Sequence, residues 1–342
     1  MKNRSVFKSI AFLGIVCVLL FVLNVVIGSV WIPLNELMEI VFGASEDRVW
    51  TNIVLHYRLP RAVAAVLAGA SLSLSGLYMQ TFFRNPLAGP YVLGVSAGAS
   101  LGVAVVVLGS SLFVVLGLPI LSGVSVTLGA ILGSFIVFLV VIYFSTKVAD
   151  HTSLLIIGLM FSSATSALVS VMQYFSNPED IQSYLLWTFG DLGSVTVGEL
   201  TIMVPLILVG WGASIFLLKP LNIYLIGNAY AKNAGLNIQR SKYAIICVTA
   251  LLSGTVTAYC GPIAFIGLAG PHVARMILDS SDHKKLIPYS AVMGAVILLF
   301  CDMVSRLPGL PQSLPLNAIT SLLGGPLVIY LIVKKKNIQN GF

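Results

Sequence analysis

The chain has 342 residues, of which 58% are hydrophobic and only 9% are charged. Soluble globular proteins carry about 25% charged residues, so this composition excludes a soluble protein and predicts an all-α integral membrane protein. Spans and short turns use nearly the whole length, and residues 1–342 are therefore expected to form a single transmembrane domain. The formal charge of +7 then indicates an uneven distribution of Lys and Arg across a bilayer, not nucleic-acid binding.

The first predicted span follows three basic residues, Lys2, Arg4 and Lys8, and runs from Ile10 to about Val30. A secretory signal peptide is the alternative interpretation. However, the apolar run is longer than the hydrophobic region of a signal peptide, and no clear small-residue cleavage site precedes Trp31. A transmembrane helix that is kept in the mature protein is therefore predicted.

The other spans are predicted from windows without charged residues, because a helix needs about 20 apolar residues to cross the hydrocarbon core. The windows are 10–35, 62–83, 85–146, 151–178, 200–218, 243–271, 286–301 and 307–333. A break at Gly117–Pro119 divides the third window, and Gly261–Pro262 divides 243–271 into a full span and a short one. The sequence thus predicts about ten transmembrane helices.

The basic residues predict the orientation. If the N-terminus is cytoplasmic, fifteen of the nineteen Lys and Arg residues lie on the inner side. Only Arg48, Arg58, Arg61 and Arg306 lie outside. Because Lys and Arg are enriched in cytoplasmic loops, we expect both termini to be cytoplasmic.

Two passages rich in Gly and Pro, 84–100 and 260–275, are predicted to interrupt helices, because Pro removes a backbone donor and Gly relaxes the chain. Irregular backbone at membrane depth is tolerated where protein or a water-filled cavity surrounds it, so both passages could border a path. Small residues four apart also allow close helix packing, which is the alternative explanation. The candidates for a pathway or gate are Gln80, Asn85, Pro86, Gly94, Ser96, Gly98, Gly261, Pro262, Gly267, Pro271 and His272.

Ionisable residues are almost absent from the predicted span interiors. Asp302 is the only acid close to one, and its i,i+4 spacing from Arg306 allows the pair to neutralise itself at a helix end. Ion-coupled carriers usually need embedded carboxylates or broken-helix ion sites. The pattern therefore argues against an ion-coupled carrier, while a coupling role for Asp302 stays open.

The longest polar stretch on the predicted inner side is 219–242, between the sixth and seventh spans. It is expected to form two short helices around Gly235, with an apolar edge that a partner protein could cover. A solvated loop lying on the membrane is the alternative. No GxxxxGK[ST] phosphate-binding loop occurs in the chain, and no catalytic or metal-ligand constellation stands out. We therefore expect a protein that is not an enzyme.

Four sequence blocks together resemble the FecCD family of permeases, the membrane subunits of ABC importers for iron–siderophores, haem and vitamin B12. The blocks are RLPRAVAAVLAGASLSLSG at 58–76, QTFFRNPLAGPYVLGVSAGA at 80–99, GPIAFIGLAGPHVAR at 261–275, and DMVSRLPG at 302–309 followed by LPLNAITSLLGGPLVIYLI at 314–332. The resemblance covers about residues 53–333. No single GxxxG or Pro-Gly step in these blocks would be specific by itself.

This resemblance implies the type II ABC importer permease fold, with ten helices per subunit, in a bacterial cell membrane. The implied partners are a second permease copy, two cytoplasmic ATPase subunits and an extracytoplasmic binding protein, in addition to membrane lipid. ATP and Mg would be bound by the ATPases, and this chain would bind no cofactor or metal. An iron–siderophore complex is the expected cargo, with haem and cobalamin as alternatives. An ion-coupled secondary transporter and a structural scaffold are the competing classes.

The resemblance also implies roles for individual residues. Arg58, Arg61 and Arg306 would meet carboxylates of the binding protein, although anchoring to lipid headgroups is the alternative. The segment implied to dock on the ATPases comprises Gly227, Asn228, Ala229, Ala231, Lys232, Asn233, Gly235 and Leu236. The chain departs from the family pattern at Asn228, where an acid is usual, and at Ser313 and Asn317, which replace an acid and a glycine near the predicted outer mouth.

Overall fold

A computed structural model describes residues 2–28, 32–41, 48–110, 124–148, 151–226, 233, 235–306 and 313–333. Within these residues every regular element is a helix. The α-helices are α1 (Lys2–Val26), α2 (Leu34–Val41), α3 (Arg48–Ile53), α4 (Leu59–Phe82), α5 (Val95–Leu108), α6 (Val124–Lys147), α7 (His151–Phe175), α8 (Pro178–Thr188), α9 (Val197–Ile226), α10 (Ile238–Cys260), α11 (Ile266–Leu278), α12 (His283–Ser305) and α13 (Leu316–Val333).

Ten helical segments account for the predicted crossings. Among the residues that the structure describes, seven helices are long and apolar enough to span a membrane, and α5, α11 and α13 are shorter apolar helices. The expected all-α membrane fold of about ten helices is confirmed. The break expected at Gly117–Pro119 lies outside the described residues.

Some predicted boundaries were wrong. The helix of the first span ends at Val26, before the predicted end near Val30, and α2 follows it. The second span begins at Arg48, upstream of the predicted residue 62, because a π-helical turn over Val54–Arg58 joins α3 to α4 without a break. Pro60 lies just after this turn, and a proline inside a continuous helix removes one backbone donor, so the regular α-helical bonding is interrupted at this point. Helix α8 was not predicted.

The chain forms two compact units. Unit 1 comprises Met1–Leu74, Asp191–Pro205 and Ile263–Phe342. In it, α12 packs against α1 and α11. The closest approach is between Gly69 and Gly294, where a Cβ on either glycine would overlap the carbonyl oxygen of the other. Ser73 Oγ donates to the Ser290 carbonyl at 2.6 Å, so α4 and α12 are bonded as well as tightly packed.

Unit 2 comprises Ser75–Gly190 and Leu206–Pro262. Its most extensive helix contact is between α5 and α6. Gly98 lies against Gly133, and Gly102 lies against Gly129, so closely that a Cβ at any of the four would overlap a backbone oxygen or a valine side chain of the facing helix. Small residues four apart therefore serve helix packing here.

The end of α4 has an unusual residue in its capping turn. The Asn85 amide donates to the Gln80 carbonyl and the Arg84 amide donates to the Thr81 carbonyl, which is the Schellman pattern. Arg84 occupies the left-handed position with φ 47°, where glycine is usual. That conformation costs a non-glycine residue roughly 1–2 kcal/mol.

Candidate functional site

A buried carboxylate in unit 1 joins two arginines. Asp302, in the last turn of α12, is fully buried. Its Oδ1 accepts from Arg61 Nε and Nη2, both at 2.8 Å, and its Oδ2 accepts from Arg306 Nη2 at 2.7 Å. Each oxygen thus has a charged donor, which is the geometry a buried ion pair needs to offset its desolvation cost.

Arg306 also bonds the end of α1. Its Nη2 donates to the Asn24 carbonyl at 3.1 Å and to Asn24 Oδ1, and its Nη1 donates to the Ile27 carbonyl at 3.4 Å. Burial lowers the pKa of the Arg306 guanidinium from its ordinary value, and the adjacent Asp302 carboxylate opposes that shift. Within the described part of the chain, the buried Arg306 Nε has no hydrogen-bond partner.

Arg58 caps the same end of α1. It is only 6% exposed, and its Nη1 donates to the carbonyls of Val25 at 3.0 Å and Val26 at 2.7 Å. The last carbonyls of a helix have no partner within the helix, and a cation is favoured there. A Cβ on Gly28 would lie 2.9 Å from Arg58 Nη2, so the guanidinium fills the space beside the chain.

Arg61 has the more accessible side chain of the two arginines that share Asp302. It is 14% exposed, compared with 10% for Arg306, and a second carboxylate, Asp191, lies 3.8 Å from its Nη1. Asp191 is half exposed. The structure therefore brings Arg61 and Arg306 together on Asp302 and places Arg58 on the adjoining helix end, with all three guanidinium groups largely buried.

Sequence reasoning paired Asp302 with Arg306 but missed Arg61 and Asp191. The first pair is four residues apart on one helix, which is a local signal. Arg61 is 241 residues from Asp302, and nothing in the local pattern of either block indicates that they meet. The available signal was that Arg61 and Asp302 are both charged residues within otherwise apolar sequence blocks.

The predicted insert is shorter in the structure than 219–242. Helix α9 continues to Ile226 and α10 begins at Ile238. Gly227, Asn228, Ala229, Ala231 and Lys232 lie outside the described residues, so their predicted helix is not described. Gly235 has φ +74°, and no atom of the described residues outside its chain neighbours lies within 4 Å of the place where a Cβ would stand, which fits the expected break.

The start of α10 is capped by Asn237, whose Oδ1 accepts from the Arg240 amide at 2.9 Å. Of the remaining predicted ATPase-docking residues, Asn233 is exposed and Leu236 is half-buried. The downstream edge of the insert therefore presents both a polar and an apolar side chain next to a well-defined helix start.

The eleven predicted pathway residues are all buried or half-buried. Gly98 is part of the α5–α6 contact described above. Ser96 Oγ lies 3.2 Å from Thr257 Oγ1, and Asn85 Oδ1 accepts from the Leu87 amide. Gly94 has φ +73° and starts α5. The other seven candidates are also buried or half-buried and lie within or beside helices: Gln80, Pro86, Gly261, Pro262, Gly267, Pro271 and His272. Whether they border a path stays a prediction.

Asn317, one of the departures from the family pattern, has a structural contact. Its Oδ1 accepts from the Ala264 amide at 2.8 Å. This bond joins the first turn of α13 to the irregular segment before α11. A glycine at this position would leave that amide without this acceptor. Ser313, the other departure, is exposed.

Helix α7 has an outward face with small hydroxyl residues, which the sequence analysis did not identify. Its span, Thr152–Phe175, is only 22% buried. Ser163, Ser166 and Ser170 lie on one helix face and are exposed. Ser163 and Ser170 donate to the carbonyls four residues earlier, which leaves their oxygen lone pairs available to other donors. The spacing of three and four residues was the signal in the sequence.

Comparison with known proteins gives a consistent result. Residues 16–334 match the FecCD transport family. The chain is 34% identical over 300 residues to the hemin transport system permease protein HmuU of Yersinia pestis, which covers 87% of this chain and 88% of that protein. It is 32% identical over 338 residues to the vitamin B12 import system permease protein BtuC of Citrobacter koseri, covering 98% and 97%.

A solved structure described as an inward-facing conformation of a metal-chelate type ABC transporter is similar to this fold. The TM-score is 0.83 at 28% sequence identity, and the match covers 96% of this chain and 99% of the other. Both the sequence and the helix arrangement therefore agree with membrane permeases along almost the entire length.

Proposed function

Because the chain belongs to the FecCD transport family, we propose that it is the membrane-spanning permease subunit of an ATP-driven importer for a metal chelate. The observation that carries the proposal is the match to importer permeases along nearly the whole chain. An iron–siderophore complex is the proposed cargo. Hemin and cobalamin are the alternatives, because the relatives named above are permeases for hemin and vitamin B12.

The face of α7 supports a second copy of this chain as partner. A membrane span that is 22% buried and exposes Ser163, Ser166 and Ser170 has a surface suited to another copy or to a water-filled space. Small hydroxyl side chains leave room for a large cargo and offer weak hydrogen bonds without a fixed charge. Two α7 faces would then line the pathway of a homodimer in a bacterial inner membrane.

The arginine cluster is the proposed docking point of an extracytoplasmic binding protein. Arginine can bind a carboxylate through two parallel hydrogen bonds, and charged groups at an interface steer association. In this chain Arg61 and Arg306 already share Asp302. A carboxylate of the binding protein would therefore compete with Asp302, and Arg61 is the most accessible of the pair.

Cytoplasmic ATPases are the proposed partners of residues 227–236. ATP and Mg would be bound by those subunits, and this chain would contribute the surface on which they dock. Both termini would face the same compartment as the ATPases, as the distribution of Lys and Arg predicts.

The proposal is tested by uptake into proteoliposomes that contain this chain with its co-purifying ATPase. A ferric siderophore, hemin and cyanocobalamin are offered in turn, each with a binding protein. We expect uptake of one cargo that needs ATP and the binding protein. Uptake that continues without ATP but is abolished by an ionophore would instead identify an ion-coupled carrier.

A pathway variant adds a structural test. Ser166→Trp places a bulky ring on the exposed α7 face and is expected to block uptake while the ATPase still co-purifies. Ile215→Trp, on an exposed position of α9, is the matched control and should transport normally. Equal uptake by both variants would show that the α7 face does not line the pathway.

A further inference from the structure

The ends of two helices in unit 2 are joined by one arginine. Arg84, two residues after the end of α4, donates from Nε and Nη2 to the carbonyl of Tyr224 at 3.1 and 2.8 Å. Tyr224 lies in the last turn of α9, where carbonyls lack a partner within the helix. The guanidinium therefore satisfies an acceptor and interacts favourably with the negative end of the helix dipole.

The backbone of Arg84 indicates that this side chain is there for its guanidinium. The residue occupies a left-handed position with φ 47°, which glycine adopts without steric cost. If residue 84 only had to form the turn, glycine would do so with less steric strain. Strained positions of this kind are a reason to look for a function of the residue that occupies them.

Tyr224 connects the end of α4, through its contact with Arg84, to both ends of the proposed ATPase-docking segment. Its ring is fully buried and meets Phe82 edge-on, with 6.0 Å between ring centroids. Its hydroxyl donates to the carbonyl of Ile238 at 3.2 Å. Ile238 is the first residue of α10, so Tyr224 holds the residues before and after 227–237 together and holds both against the end of α4.

A second cation anchors α10 further along. Lys242 is 4% exposed, and its Nζ donates to the carbonyls of Ser145 and Val148, at the end of α6. Again a basic side chain bonds carbonyls at a helix C-terminus. The start of α10 therefore cannot shift alone, because it is bonded to α6 and, through Tyr224, to α9.

We propose that Arg84 and Tyr224 are positioning residues that transmit movement of the ATPase-docking segment to α4 and to the 84–94 connection leading into α5. This inference rests on the proposed function. Displacement of residues 227–237 by an ATPase would pull on the last turn of α9. Because Arg84 is bonded to that turn, the end of α4 moves with it. All these residues belong to one compact unit, so the coupling travels through contiguous contacts.

The test compares transport with ATP hydrolysis in proteoliposomes that contain Arg84→Gly and the co-purifying ATPase. Glycine suits the left-handed turn, so this variant is expected to fold. We expect the ATPase to co-purify as before and to continue hydrolysing ATP. The number of cargo molecules imported per ATP should fall about fivefold or more, because coupling between two sites typically changes an equilibrium by at least that factor. Arg84→Lys should restore part of the ratio, because an ammonium group can donate to the same carbonyl.

We call the bonds from Arg84 to the Tyr224 carbonyl and from the Tyr224 hydroxyl to Ile238 the Arg84–Tyr224 clamp. Two further variants distinguish loss of this clamp from a general effect of losing a side chain. Tyr224→Phe removes only the hydroxyl bond to Ile238 and should lower the same ratio by about twofold, a small coupling loss. Lys284→Ala removes an exposed basic side chain from the start of α12, outside the 219–242 stretch, and should leave the ratio unchanged.

Three results decide the matter. An unchanged ratio in Arg84→Gly would overturn the inference. Loss of ATPase co-purification in that variant would also overturn it, because the residue would then shape the docking surface itself. Absence of ATP-dependent uptake by the unmodified protein would instead contradict the proposed function.

Discussion

The Asp302 cluster in unit 1 and the Arg84–Tyr224 clamp in unit 2 hold helices together with different chemistry. In the cluster, two guanidinium groups share one buried carboxylate. In the clamp, a guanidinium bonds a helix-end carbonyl, and its own residue is exposed. Removing the acid from the first leaves buried charge, whereas removing the cation from the second leaves a single carbonyl.

This difference has a consequence for stability and for function. A buried charge that loses its partner is strongly destabilising, so loss of Asp302 should weaken unit 1 more than loss of Arg84 weakens unit 2. A helix-end hydrogen bond contributes much less, so the clamp is free to serve movement. Arginine therefore contributes mainly to stability in the Asp302 cluster, whereas we propose that Arg84 transmits movement between helices.

The largest effect is expected for Asp302→Asn. The substitution keeps the shape but removes the carboxylate shared by Arg61 and Arg306, and breaking a buried pair costs about 3–5 kcal/mol. Thermal unfolding in detergent should show a clearly lower Tm. Asp191→Asn, at the half-exposed partner of Arg61, is the control and should lower stability by less than about 1 kcal/mol. Equal Tm values for the two variants would contradict a buried ion pair.

A smaller loss is expected for Arg58→Met. Methionine keeps an apolar side chain of similar length but cannot donate to Val25 and Val26. Loss of these bonds should destabilise the protein by about 2 kcal/mol, within the range for hydrogen bonds that involve a charged group. Hydrogen exchange of the last turn of α1 provides the measurement, and protection equal to that of the unmodified protein would show that Arg58 does not cap this helix.

Docking of the binding protein should respond most to Arg61. Arg61→Gln keeps one hydrogen-bonding group but removes the charge, and we expect roughly tenfold weaker binding, the loss of about 1.4 kcal/mol. Surface-immobilised binding protein and detergent-solubilised permease allow the dissociation constant to be measured. Arg48→Gln, an exposed arginine on the same predicted side, is the control. Equal affinity for the two variants would remove Arg61 from the docking surface.

The smallest stability change is expected for Arg84→Gly. Relief of the left-handed strain, roughly 1–2 kcal/mol, should largely offset loss of the bond to the Tyr224 carbonyl, about 1.5–3 kcal/mol. The Tm should therefore stay close to that of the unmodified protein. A drop as large as that of Asp302→Asn would show that the clamp is as critical for folding as the buried ion pair, which would break the comparison.

Several features could be predicted because their signals are local. Hydrophobic windows indicated ten crossings, and the Gly261–Pro262 break before a short span coincides with the observed end of α10 at Cys260. Helix α8 also had a local signal, Pro178 followed by Glu179 and Asp180 in its first turn. A search for uncharged spans could not find it, because those acids exclude the segment from such a window.

The sequence by itself determined the helical membrane fold, the number of spans and the family, because hydropathy and short motifs depend on neighbouring residues. Only the tertiary structure decided the state of the arginines. Whether Arg61 meets Asp302, or Arg84 meets Tyr224, depends on helix packing between residues 241 and 140 positions apart. A guanidinium group has the same charge in either place, and its role follows from the acceptors that folding brings to it.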